Sequence, residues 1–386
     1  MRATESKIKQ IAKENGAALV GIASRERLED APPSGNPEYL LPSARSLISF
    51  AISLNRTILR DYLHKKDWLS HSTDQKQIYQ KLYGINDSLV NYLKSMGHDA
   101  LGVAVNCVFR PEPGATDSTE MTEFIPDFSH RYGAVAAGLG RLGWSGNLLT
   151  PEYGATVYLG TVLTSAELRS DPICEQNPCD RCLICTSVCP VEMISGKETL
   201  TVTIAGIAEE IARKKPNTCC WIGCADYHGL SADKKWSNWS PYRVNAPLPD
   251  SKSDVDALCI RVQKADPQMR LKTNPYTNHR ATTFDPNWHF SAACGNCGNV
   301  CWEKREDRKE NKRLLVESGV AVLNADGTRE AIHEEILEIQ TPYEVKVAVS
   351  KQEYEKLKSD DRPKKTDCGF TPKDRAVLSF IKKNDE

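Results

Sequence analysis

Twelve residues constrain this chain more than any others: CDRCLICTSVCP places Cys179, Cys182, Cys185 and Cys189 at C-x2-C-x2-C-x3-C and closes the run with Pro190. That is the spacing of bacterial ferredoxins. Three closely spaced thiolates reach three irons of one [4Fe-4S] cube, while the fourth points away and ligates a second cube in two-cluster proteins. A second run is therefore expected, and CGNCGNVC supplies it with Cys294, Cys297 and Cys301. It reads as a ferredoxin run whose first cysteine has been detached by an insertion. On this pairing one cluster takes Cys179, Cys182, Cys185 and Cys301. The other takes Cys189, Cys294, Cys297 and one of Cys219, Cys220 or Cys224.

C-x2-C pairs also bind structural zinc, but the four-cysteine run with its proline favours iron and sulfur. The N-terminal stretch MRATESKIKQIAKENG is polar and amphipathic, with no apolar signal core and no twin-arginine pair, so a cytoplasmic address is expected. In a reducing compartment fourteen cysteines are poor candidates for disulfide staples. Cys107, Cys174, Cys259 and Cys368 have no ligand spacing and read as small buried hydrophobes.

Before the run, helix and strand signals alternate. Ile8, Ile11 and Ala12 share a helical face that stops at Gly16, and Ala17 to Ile22 form a short apolar strand. Ile48, Phe50, Ile52 and Leu54 recur at period two, and Ile78, Leu82, Ile85, Leu89 and Leu93 at helical spacing up to Gly97. Leu101–Val108 and Val157–Leu163 read as strands around a helix at Arg131–Ala137. An α/β or α+β domain follows from this alternation. From Asp171 cysteine and proline dominate, and a metal-organised domain is expected. Between Asp226 and Ala292 a weakly periodic segment carries Trp236, Trp239, Tyr242, Tyr276 and Trp288; at that length it is no ordinary loop, and its aromatics favour an ordered cap. The charged tail from Lys304 offers a strand at Tyr343–Val349 and a final helix opened by Thr371 and Pro372.

Composition excludes several classes. With 386 residues, 40% hydrophobic and 26% charged, the chain is neither a disulfide miniprotein nor wholly disordered. No apolar stretch reaches the roughly 18 residues of a spanning helix. Fifty basic against 51 acidic residues give no global field for nucleic acid or membrane. Gly138-Leu139-Gly140-Arg141-Leu142-Gly143 satisfies G-x-G-x-x-G, yet it follows a helix instead of a strand, so the dinucleotide-binding context is missing. Its glycines serve close approach, of a flat ligand or of neighbouring backbone.

Taken together, LLPSARSLISFAIS (Leu40–Ser53), AAGLGRLGWSGNLLTPEYGATVYLGTVLT (Ala136–Thr164) and the two cysteine runs resemble, in that order, the epoxyqueuosine reductases and reductive dehalogenases. The resemblance spans residues 5 to 310. It implies an α+β fold: a nitroreductase-like, corrinoid-binding domain over 1–168, a ferredoxin-like domain with two [4Fe-4S] clusters over 169–310 and an insertion at 226–292. A C-terminal extension covers 311–386. Because the family's detached cysteine is followed three residues later by tyrosine, as Cys224 is by Tyr227, the resemblance favours Cys224 as the last ligand. Trp302 stands where the family has proline, and the tail does not read as helical repeats.

The activity implied is reductive cleavage of a carbon–heteroatom bond at a base-off cobalamin. An external low-potential carrier, ferredoxin or flavodoxin, would feed electrons through the clusters. Proton-donor candidates are Glu123, Asp127, His130 and Tyr132, just upstream of the glycine segment. Gly138, Gly140, Gly143, Trp144, Gly146 and Asn147 are the corrinoid-lining candidates. The substrate is a small molecule or a modified nucleoside, with whole tRNA disfavoured by the neutral charge balance. The competing reading is an iron-sulfur electron-transfer or corrinoid-reactivating protein that converts no small molecule.

Overall fold

The computed structural model describes residues 3–104, 109–115, 124–224, 228–240, 294–323, 329–340 and 346–351, with isolated positions at 244–245, 251, 254, 257–258 and 354–355. Glu123, Cys107, Tyr227, Tyr242, Cys259, Tyr276, Trp288, Cys368 and the helix expected from Thr371 lie outside them.

The chain opens with α1 (Ala3–Glu14), β1 (Leu19–Ser24) and β2 (Ser46–Ser53), then α2 (Arg56–Leu63), α3 (Leu69–Ser95) and β3 (Ala100–Gly102). The short pairs β4 (Phe109–Pro111) with β5 (Phe124–Pro126), and β6 (Arg141–Leu142) with β7 (Leu148–Leu149), flank α4 (His130–Ala136). With β8 (Val157–Thr164), strands β1, β2 and β3 form an antiparallel sheet of order β1-β2-β8-β3. The alternation read from the sequence is present. Ile48, Phe50 and Ile52 lie with Ile22 and Val162 against Ile8, Leu82, Ile85 and Leu89 of α1 and α3. The intervening Leu47 and Ala51 are equally buried, with Ala23 and Leu163, against Val135 of α4. Both faces of the sheet are covered, so β2 shows no solvent side.

What the sequence reading missed is the β9 (Ile194–Ile204) and β10 (Ile207–Lys214) hairpin. Its residues Val202, Ile204 and Ile211 join the α4 face of the sheet, and its turn is held by Asp30, whose carboxylate accepts from the amides of Ala205 (3.0 Å) and Gly206 (2.7 Å). Three short helices carry cysteines: α5 (Ile184–Ser187) precedes the hairpin, and α6 (Asn217–Cys224) and α7 (Asn296–Asn299) come after it, followed in the chain by α8 (Arg305–Val316). The tail adds β11 (Val244–Asn245), β12 (Val320–Leu323), β13 (Arg329–Ile332), β14 (Ile336–Gln340) and β15 (Lys346–Ser350). Strand β15 answers the expectation at 343–349, within the described residues. Of the aromatic segment, Trp236 and Trp239 are buried in the same apolar cluster as Ile8, Val300 and Leu315. Among the described residues no helix is long and apolar enough to cross a membrane.

Candidate metal centre

The first run wraps as a tight loop. Arg181 (φ 53°) and Leu183 (φ 57°) sit in the left-handed region, a conformation that costs a non-glycine residue and persists only where surroundings impose it. Gly295 (φ 94°) makes the corresponding turn between Cys294 and Cys297 without that cost. Asn296 Nδ2 donates to Val188 O at 3.3 Å, fastening one run to the other.

Two sets of thiols result. Cys179, Cys182, Cys185 and Cys301 line one small cavity with Trp144, Leu149 and Arg308. Cys189, Cys294 and Cys297 face one another in the second set, where Cys220 acts on Cys189, Cys294 and Cys297. Cys224 sits one turn along α6, its Sγ 3.8 Å from Cys220 Sγ, and is hydrogen-bonded to Cys294 as well. The second set therefore holds five thiols. Cys219 is buried, and Cys174 is half-exposed, bonded to Gln176 O at 3.3 Å, unlike the buried hydrophobe expected.

Crowding sets the electrostatics. Burial, with Cys297 next to it, pushes the Cys185 thiol up to about 12, and burial raises Cys189 and Cys301 further still. Hydrogen bonding to Cys224 pulls Cys294 down to about 6, and Cys224, as the donor, is held well above the thiol range. So many neighbouring thiols cannot all ionise unless a cationic core neutralises them. Among the described residues no three Cys, His, Asp or Glu side chains meet the spacing of a single-ion site. A four-iron cube takes four thiolates, one on each iron, and each set offers at least four thiols, the donor chemistry such a cluster would need.

The glycine segment runs between the sets. A Cβ on Gly138 would lie 2.1 Å from Pro172 O, on Gly140 2.1 Å from Leu149 O, and on Gly143 2.5 Å from Leu149 Cδ1. These three glycines let backbone meet backbone and side chain, the second of the two roles expected of them. The Trp144 amide donates to Cys179 Sγ (3.3 Å), its indole N–H to Ser195 O (2.9 Å), and Asn147 Nδ2 to Cys297 Sγ (3.6 Å). Gly146 (φ 70°) lies against the Lys214 ammonium. The candidates named for a corrinoid are thus engaged by protein, and two of them serve the thiol sets.

The proton-donor candidates separate. His130 uses both ring nitrogens, Nδ1 with Thr161 Oγ1 (2.9 Å) and Nε2 with Ala104 O (3.0 Å), and burial lowers it to about 4. It stays neutral near pH 7 and anchors α4 to β8, which argues against its candidacy as an acid. Asp127 is half-buried and raised by desolvation, against the opposing Arg110. Tyr132 is half-buried and likewise raised by desolvation. Sequence reasoning also passed over Arg308, buried with Nη1 2.6 Å from Asp180 Oδ1 and 3.7 Å from Cys182 Sγ. It missed Tyr62, whose hydroxyl donates to Cys294 O at 3.0 Å. Both come from helices distant in sequence, and only the fold brings them in.

No protein-family model matches the chain. An epoxyqueuosine reductase of Gloeobacter violaceus is 47% identical over 58 residues, 15% of this chain and 18% of that protein. One from Synechocystis sp. is 33% identical over 81 residues, 18% of this chain and 28% of that protein. The chain thus matches less than a third of the length of these curated relatives. Among solved structures, a reductive dehalogenase described with B12-dependent dehalogenation aligns at TM-score 0.45 and 16% identity, covering 88% of this chain and 42% of that one. An epoxyqueuosine reductase with a modified tRNA-Tyr stem loop aligns at 0.38 and 17%, covering 82% and 81%. The chain resembles epoxyqueuosine reductases and reductive dehalogenases over part of its length.

Proposed function

We propose that this chain is an iron-sulfur oxidoreductase of the epoxyqueuosine reductase and reductive dehalogenase kind. On this reading residues 1–168 form a nitroreductase-like domain and residues 169–310 a ferredoxin-like domain holding two [4Fe-4S] clusters. The carrying observation is the partition of the cysteines into two sets, each drawn from both runs. Bound clusters supply one-electron chemistry at low potential, and a corrinoid, which the resemblance brings with it, supplies low-valent cobalt for breaking a carbon–heteroatom bond.

The protein's own residues do the rest. Trp144 N–H, Asn147 Nδ2 and Arg308 direct hydrogen bonds at thiol sulfurs, which orients the ligands and offsets their charge. Cys179 and Cys182 are part-exposed beside exposed Leu183, and the Tyr62 hydroxyl reaches Cys294 O of the second set. Electrons from an external low-potential carrier, ferredoxin or flavodoxin, would enter at the part-exposed thiols of the first set and pass to the second. Asp127 and Tyr132, both kept protonated more readily by desolvation, are the groups able to hold a proton for a leaving group; Glu123 completes that candidate list. The substrate class is a small molecule or a modified nucleoside.

A second reading, an electron carrier or corrinoid-reactivating protein, is favoured by one observation: Gly138, Gly140 and Gly143 are closed by protein atoms. Anaerobic reconstitution with iron, sulfide and hydroxocobalamin separates the two. About eight irons, the count for two four-iron clusters, with one retained cobalt and a base-off cobalt(II) resonance supports the reductase. The same iron with no cobalt supports the carrier, and fewer than about four irons refutes both.

A further inference from the structure

The loop between the two thiol sets carries a positive charge that neither set's ligands require. Trp144 touches Cys179 of the first set and Asn147 touches Cys297 of the second. Between these two residues, a Cβ on Gly146 would fall 2.8 Å from Lys214 Nζ and 3.4 Å from Ile211 Cδ1. The last residue of β10 therefore delivers its ammonium to the middle of the bridge, where glycine alone leaves room for it. Arg131, from α4, donates to Gly146 O at 3.2 Å and adds a second cation. Burial and the neighbouring Arg131 cation lower Lys214 from the ordinary lysine value, and the thiols that oppose this are Cys297 and Cys220 of the second set ahead of Cys185 of the first.

The two sets differ in how their cations are answered. At the first set the Arg308 charge is met by Asp180 at 2.6 Å. Among the described residues neither Lys214 nor Arg131 pairs with a carboxylate, so their charge is left to the thiolates and to what these hold. A four-thiolate cluster is a net anion, and one added electron makes it more so. A cation near the ligands favours the reduced state.

Resting on the two-cluster reading above, we propose that Lys214 is a positioning residue that sets the potential of the second cluster above that of the first. One electron then leaves the reduced first cluster and is held at the second. The external low-potential carrier restores the first. The hairpin that sequence reasoning missed is the arm that carries this charge.

The test uses the full chain, reconstituted anaerobically with iron and sulfide, and follows each cluster by electron paramagnetic resonance during a dye-mediated redox titration. K214Q and K214M remove the charge; K214R keeps it on another stem. The expected result is about eight irons in every variant. In both neutral variants one midpoint should fall by about 59 mV, a tenfold change for a one-electron couple. The other midpoint should move by less than half as much, and K214R should hold both. Fully loaded neutral variants with unchanged midpoints, or with both midpoints shifted equally, overturn the assignment and leave the clusters standing. Loss of iron from both neutral variants but not from K214R makes Lys214 a structural residue and overturns it as well. A wild-type chain that fails to take up about eight irons overturns the two-cluster reading itself.

Discussion

Replacing Arg141 with methionine removes the clamp that holds the β9–β10 hairpin to the glycine segment. Arg141 pairs with Glu209 of β10 while both side chains are at most 10% exposed, and its Nη1 also reaches the carbonyls of Cys174 (3.3 Å) and Glu175 (3.1 Å). Methionine keeps the aliphatic volume but leaves Glu209 with Asn177 Nδ2 alone, at 3.0 Å. Stranding one member of a buried pair costs about 3–5 kcal/mol. The double variant R141M/E209L removes both charges and loses mainly the two carbonyl bonds, about 1 kcal/mol each. It should therefore recover about 1–3 kcal/mol of the single variant's loss. The readout is native-state hydrogen exchange of β10 amides, above all Ala212 N–H, which donates to Trp144 O at 2.8 Å. Protection should drop by roughly two to three and a half orders of magnitude in R141M, at about 1.4 kcal/mol per tenfold, and return part way in the double variant. A drop of less than about tenfold in R141M, or a double variant as weak as the single, would refute the reasoning.

Three further outcomes are expected. C220S should fall from about eight irons towards about four while C224S stays near eight, because Cys220 acts on Cys189, Cys294 and Cys297 alike; the opposite pattern would restore the assignment the family resemblance favours. Arg308→Met, which withdraws the only guanidinium bonded to Cys182 among the described residues, should release half of the iron to a chelator at least about tenfold faster, since a hydrogen bond to a charged group is worth about 1.5–3 kcal/mol. His130, depressed to about 4 by burial, is neutral in the fold but gains a proton on unfolding below about pH 6.5. The unfolded state then binds more protons, so stability falls as pH drops from about 6.5 to 4, by up to about 3 kcal/mol. Urea midpoints measured across that window should decline less steeply in H130N than in the wild type.

The sequence made the first sheet and its helices legible because their apolar residues follow one period at a time. Ile8 and Ala12, Ile48 and Phe50, and Ile78 through Leu93 each mark one face, and each face is buried where expected. The hairpin was passed over although Leu200, Val202 and Ile204 recur at period two, because its strands also mix buried and exposed positions with charged residues, and IAEEIARK shows no clean alternation. Of the candidate metal centre, the pairing of thiols could be read because cysteine spacing is itself geometry. Cys219, Cys220 and Cys224 could not be ranked from spacing alone; the turn of α6 puts Cys220 and Cys224, four apart, on one side. Arg308, Lys214 and Tyr62 lie on elements whose sequences carry no sign of sulfur nearby.

Neither thiol set can be completed by a contiguous stretch of chain. Cys185 and Cys301 share the first set, and the 115 residues between them take about 6–23 s to synthesise at roughly 5–20 residues per second. Until Cys301 emerges, the first run is an open three-thiol loop, reactive toward stray metal and oxidant. On the two-cluster reading, insertion of the first cluster belongs after Cys301 has emerged, and a nascent chain stalled inside the insertion would be the form most in need of a protecting chaperone.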